Sequence, residues 1–126
     1  MQSSWEASFF SGEALYATQL NAAVNGSVDD SLTATGTTQG TAYPLTKTVS
    51  IFTTVGSGTG ALLPQFSSNQ VGFFGCIVVA NGQSNLLLYP YSGAKINSLS
   101  ANAPIAIPAG TMAWVFVSST TQVWVR

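Results

Sequence analysis

Four carboxylates, one thiol and no histidine bound the chemistry open to this chain. Without histidine, neither a Ser-His nor a Cys-His nucleophilic pair can form, and no histidine-ligated zinc site exists. A carboxylate pair for glycan hydrolysis needs two acids about 5–9.5 Å apart across a cleft. The only candidates are Glu6, Glu13, Asp29 and Asp30, all within the first 30 residues. Asp29-Asp30 sits among Gly, Ser and Thr, and no spaced carboxylates follow to complete the roughly 6–8 oxygens calcium needs. It reads as a solvated loop. Gly56-Ser57-Gly58-Thr59-Gly60 lacks the Lys-Ser/Thr ending of a phosphate loop and leads into Ala61-Leu62-Leu63, a strand pattern, so it reads as a β-turn. Tyr89, Tyr91, Trp114 and Trp124 offer rings for sugar stacking, but the acids and arginines that usually hold sugar hydroxyls beside such rings are missing. They read as core or interface packing. No catalytic residue, cofactor site or metal site is expected.

The chain has 126 residues, of which 6% are charged, with a formal net charge of −1. An ordinary domain carries about 25% charged residues. Solubility must therefore rest on Ser, Thr, Asn, Gln and Gly, which suits a protein surrounded by other protein. Lys47, Lys95 and Arg126 are scattered, which argues against nucleic acid and anionic membrane as partners. The longest apolar stretch, 71–80, is half of a ~20-residue membrane span. Met1 to Glu6 shows neither a basic nor an apolar signal-peptide region, so synthesis in a cytoplasm is expected. Asn25-Gly26-Ser27 matches a glycosylation sequon but reads as a turn. Cys76 is alone, in an apolar strand pattern that makes it a small buried hydrophobe.

Three zones must position these groups. Residues 1 to about 24 carry Trp5, Phe9 and Phe10, then a short helix over about 13–24, with Ser11 or Gly12 as cap and Glu13 at its positive end. So short a helix is marginal in water and needs a surface. Residues 25–41 show no periodicity and read as a flexible Gly/Ser/Thr-rich linker. The expected division is an arm with linker over 1–44 and a β-domain over 45–126.

From Tyr43 onward the pattern is β throughout. Candidate strands are 46–55, 61–63, 71–79, 85–89, 95–97, 104–107, 111–118 and 122–125, separated by turn signals at 56–60, Asn81-Gly82, Ser92-Gly93, Ala109-Gly110 and Ser118-Ser119. Asn81-Gly82 is a strong hairpin signal. The expected fold is all-β, a β-sandwich or jelly roll preceded by the helical arm. Several strands are apolar on both faces. Phe73, Ile77 and Val79 oppose Phe74, Cys76 and Val78, and Met112, Trp114 and Phe116 oppose Ala113, Val115 and Val117. One core cannot absorb both sets, so the second needs the arm, a symmetry mate or a larger assembly as cover.

The runs Ile51-Phe52-Thr53-Thr54-Val55 and Gly58-Thr59-Gly60-Ala61-Leu62-Leu63-Pro64 resemble a pattern in small virion proteins of tailed bacteriophages. So do Val78-Val79-Ala80-Asn81-Gly82, Asn85 to Pro90, Gly93 to Asn97, Ala101-Asn102 and Ile107 to Gly110, with Leu15 to Ala23 upstream. The similarity covers about half the chain. It implies a sandwich or jelly roll, present in many copies and docked by its N-terminal arm, most like a capsid decoration (cement) protein outside the major capsid lattice. Implied partners are the major capsid protein and further copies of the chain, a trimer before a dimer. Its place would be the capsid surface, after synthesis in the host bacterium. Docking anchors would be Trp5, Phe9, Phe10, Leu15 and Leu20. Phe73, Phe74, Trp114, Phe116 and Trp124 would lie in the core or the self-interface. The rival roles are a tail-fibre, tailspike or adsorption subunit that binds host glycan, and a glycan hydrolase.

Overall fold

The computed structural model describes residues 27–126. The ten strands are β1 (Val28–Thr33), β2 (Tyr43–Pro44), β3 (Val49–Thr54), β4 (Gly60–Leu62), β5 (Phe74–Val79), β6 (Leu86–Tyr89), β7 (Lys95–Ile96), β8 (Ile105–Ile107), β9 (Met112–Ser119) and β10 (Gln122–Val125). They form a six-stranded sheet, β1-β3-β5-β9-β10-β7, and a four-stranded sheet, β2-β4-β6-β8. The described residues are nearly all-β, with one 3-10 turn at Ser68–Gln70. The candidate helix at 13–24 and the arm residues Trp5, Phe9, Phe10, Leu15 and Leu20 lie outside the described residues.

From β1 to β8 the chain changes sheet at every step. A strand and its next neighbour in the same sheet are therefore separated by a pass through the other sheet. Parallel pairing needs such a crossover, and here a strand supplies it in place of a helix. Accordingly β1, β3 and β5 pair in parallel, as do β2, β4 and β6. Antiparallel pairing enters at β5–β9, β6–β8 and the β9–β10 hairpin. This corrects the jelly-roll expectation, since a jelly roll is antiparallel throughout. Asn81-Gly82 is likewise a turn but no hairpin, because it joins β5 to β6 in the opposite sheet. The end of β3 anchors it: Ala80 N donates to Phe52 O (3.0 Å), Ser84 N to Val55 O (3.1 Å) and Val55 N to Gln83 Oε1 (2.9 Å).

The core fills the gap between the sheets, about 10 Å wide in such packings. Phe52, Leu86, Leu88, Ile96, Val79 and Val117 are its largest fully buried side chains. Strand β9 alternates strictly, with Ala113, Val115 and Val117 inside and Met112, Trp114 and Phe116 outside. The smaller set faces inward because Phe52 and the β6 leucines already occupy the gap. Each buried leucine contributes about 1.5–3 kcal/mol.

The linker expectation is overturned over 28–44. Polar as it is, β1 pairs with β3, Val28 opposite Val49 and Leu32 opposite Phe52. The register slips between Asp29 and Leu32, where Ser31 has φ +58° and its N donates to Asp30 Oδ1 (2.7 Å). An irregular edge strand with two acids discourages pairing with other sheets. Residues 35–42 then lie against the four-stranded sheet. Thr35 bridges to Gly60, Tyr89 Oη donates to Thr37 O (3.3 Å), and Gln39 Nε2 donates to Pro90 O (2.7 Å). Gly36, at φ +73°, makes the closing turn, where a Cβ would sit 2.2 Å from Thr41 O. The division at 44/45 thus falls inside the sheets.

Asn97 closes the far edge. It adopts φ +53° just past β7, and its amide imitates a strand residue. Val125 N donates to Asn97 Oδ1 (2.8 Å), and Asn97 Nδ2 donates to Val125 O (3.0 Å). Asn97→Ala leaves both groups of buried Val125 unpaired and keeps a left-handed residue without its hydrogen bonds. The expected loss is about 2–3 kcal/mol, read as a lower urea midpoint at unchanged slope.

Candidate interaction face

The outer faces of the two sheets differ. That of the four-stranded sheet is partly covered by the 35–42 loop at Tyr89, with Leu62 and Leu87 half-buried and Ala106 exposed. That of the six-stranded sheet is open among the described residues. Register sets its side chains in rows across the central strands. Trp124, Phe116 and Phe74 form one row. Trp114, Cys76 and Val49 form the next, and Met112, Val78 and Ile51 the third. Trp114 also exchanges backbone hydrogen bonds with Arg126 (2.7 and 2.9 Å), which brings Arg126 to the end of the second row. Val28, opposite Val49, extends that row to the β1 edge.

Phe74, Trp114, Phe116, Trp124, Met112 and Val28 are each between 41% and 57% exposed. Phe74 and Trp114 stack with ring centroids 5.2 Å apart at 32°. Trp124 Nε1 donates to Ser118 Oγ (3.0 Å), which holds its ring in place. The centre of the face is apolar, and the charges stand at its rim. Asp29 and Asp30 lie in the β1 edge strand, and exposed Lys95 lies in the opposite edge strand β7. An apolar centre with a polar rim is the usual anatomy of a protein interface.

Of the residues named from sequence, Phe74, Trp114, Phe116 and Trp124 come together on this face, outside the core. Phe73 does not join them. It is partly buried against the core and packs on Phe66 at 5.5 Å. The four rings considered for sugar stacking are split: Tyr89 is buried in the other sheet, and Tyr91 follows it in a loop. Asp29 and Asp30 stand in β1 and not in a loop. The 56–60 segment is a β-turn, with Thr59 N donating to Gly56 O (3.1 Å) and Gly58 at φ +77°. Sequence reasoning missed Val28 and the rim. Val28 was hidden in the supposed linker, and rim charges have meaning only once the sheet edges are known.

Cys76 is buried although it belongs to an outward position of β5. Burial raises its thiol pKa above the usual 9.0, because the thiolate would lose its water. The raised value favours the fold while the thiol stays neutral. That contribution is complete below the unfolded value and is lost as pH rises through the folded one. Thiol reagents at pH 8 should therefore label the native chain far more slowly than the urea-unfolded chain. Equal rates would show an accessible thiol.

Among the described residues, no cluster of three His, Cys, Asp or Glu could hold a metal, and no helix is long and apolar enough to cross a membrane. Over the described residues, fold and face together define a two-sheet β domain with aromatic side chains exposed on the outer face of the larger sheet. No protein-family model, curated protein or solved structure matches the chain.

Proposed function

We propose that this chain is a structural protein of a phage virion, a capsid decoration protein that binds outside the major capsid lattice and stabilises the head. The observation that carries the reading is the open aromatic face of the six-stranded sheet. Contiguous apolar patches of this kind on small domains mark interaction sites, and its chemistry suits contact with protein. The near absence of charge agrees: a subunit repeated many times on one shell accumulates little like-charge repulsion. The resemblance of 51–64 and 78–110 to small phage virion proteins supplies the setting. In this reading the protein is made in the bacterial cytoplasm, works on the capsid surface, catalyses nothing and uses no cofactor. Residues 1–24, with Trp5, Phe9, Phe10, Leu15 and Leu20, dock it on the major capsid protein.

The adsorption role needs a ring platform flanked by polar groups for sugar hydroxyls. The open face offers few such groups at its centre, and Tyr89 and Tyr91 are not on it. Decoration is the better-supported role. Deleting the coding sequence from the phage genome tests it. Heads lacking the chain should release DNA at lower temperature or milder osmotic shock than complete heads, and purified chain added back should restore them. Heads equally robust without it would refute the proposal.

A further inference from the structure

We infer that the open face of the six-stranded sheet is a contact between copies of this chain, formed face to face. This deepens the reading above by naming the occupant of the face, and purified protein tests it without any virion.

The area comes first. Phe74, Trp114, Phe116, Trp124 and Met112 stand near half exposure, and side chains of this size span about 150–250 Å² each, so about 500 Å² of apolar surface lies open. Stable interfaces bury about 1,200–2,000 Å² in total. A face meeting its own copy counts twice, so these five side chains alone supply about 1,000 Å². The half-buried Val49, Ile51 and Val78 and the rim lie in the same plane and bring the contact into the stable range. A flat apolar sheet meeting its copy repeats the packing of a β-sandwich, with strands aligned within about 30° and an interior about 10 Å thick.

Asp29 is level with Ala113 on β9 and Lys95 with Ser119, so the acids and the lysine stand at opposite corners of the sheet. Arg126, at the end of the second row, is the one charged residue that register brings beside the aromatics, and the low total charge leaves two copies with little mutual repulsion.

The test is the mass of the full chain by light scattering or sedimentation over about 1–100 µM, a range that spans weak to firm dimers. At least twice the monomer mass of 13.1 kDa is expected. Trp114→Thr/Phe116→Thr keeps strand-favouring side chains and should weaken association at least about 100-fold, while Tyr91→Thr, off the face, should leave it unchanged. Met112→Thr, a single exposed change on the face, provides a variant whose folding is not in doubt. It should weaken association about fivefold. A monomer at every concentration overturns the inference, and so does an oligomer that the double substitution leaves intact. Heads unaffected by loss of the chain, with these mass results obtained, would refute decoration alone.

Discussion

Phe52→Ala should lower the free energy of unfolding by about 3–5 kcal/mol, the range for removing a fully buried phenylalanine. Phe52 is 0% exposed and points from the middle of β3 into the gap between the sheets. Its ring meets Tyr43 edge-on at 5.9 Å and 90°, and its backbone is paired with Leu32 on one side and Val79 on the other. It therefore binds the first three strands of the six-stranded sheet to β2 of the other. A close-packed interior relaxes only partly around the space left, so a cavity term adds to the lost transfer energy. Against a total stability of about 5–15 kcal/mol for domains of this kind, the loss brings the chain near its threshold. Urea unfolding reads the effect directly. Thr53→Ala, one residue along and exposed, should change stability by less than about 0.5 kcal/mol. Equal effects at the two positions would mean that the core is not gathered where the alternation places it.

Deleting residues 1–24 should separate folding from docking. Every member of the hydrophobic core among the described residues lies from Leu32 onward, and β1 begins at Val28. The shortened chain should therefore keep its strand signal and a urea midpoint close to that of the whole chain. If the aromatics at Trp5, Phe9 and Phe10 anchor it, binding should fall at least about 100-fold, since buried aromatic anchors carry much of the energy of an interface. Cosedimentation with heads from the deletion phage measures this. A shortened chain that binds as well as the whole one would remove the arm from the account and leave docking to the β-domain.

Strand positions after residue 45 were legible because two signals coincide there. Gly, Asn and Pro mark the corners, and apolar residues fill the strands between them. β1 was not legible, because Val-Asp-Asp-Ser-Leu-Thr buries little and owes its conformation to hydrogen bonds from β3. With two residues, β2 is too short to show any period. Pairing was illegible for a different reason. Asn81-Gly82 has the local chemistry of a hairpin, yet β3 holds that turn and sends the chain across to the other sheet. Local turn preference does not say which strand comes next to which. The alternation in 111–118 did reveal two faces. Which face lies inside depends on volume contributed by Phe52, Leu86 and Leu88, and so Trp114 and Phe116 lie outside although they are the larger side chains. The aromatic members of the face could thus be named from sequence, while their common surface and its charged edges required the sheet order.

The decoration role is tested most directly by immunogold electron microscopy of intact phage particles, with antibody raised against this chain. Gold distributed over the heads is the predicted result. Gold confined to the tail tip or fibres, or particles without gold, would contradict it.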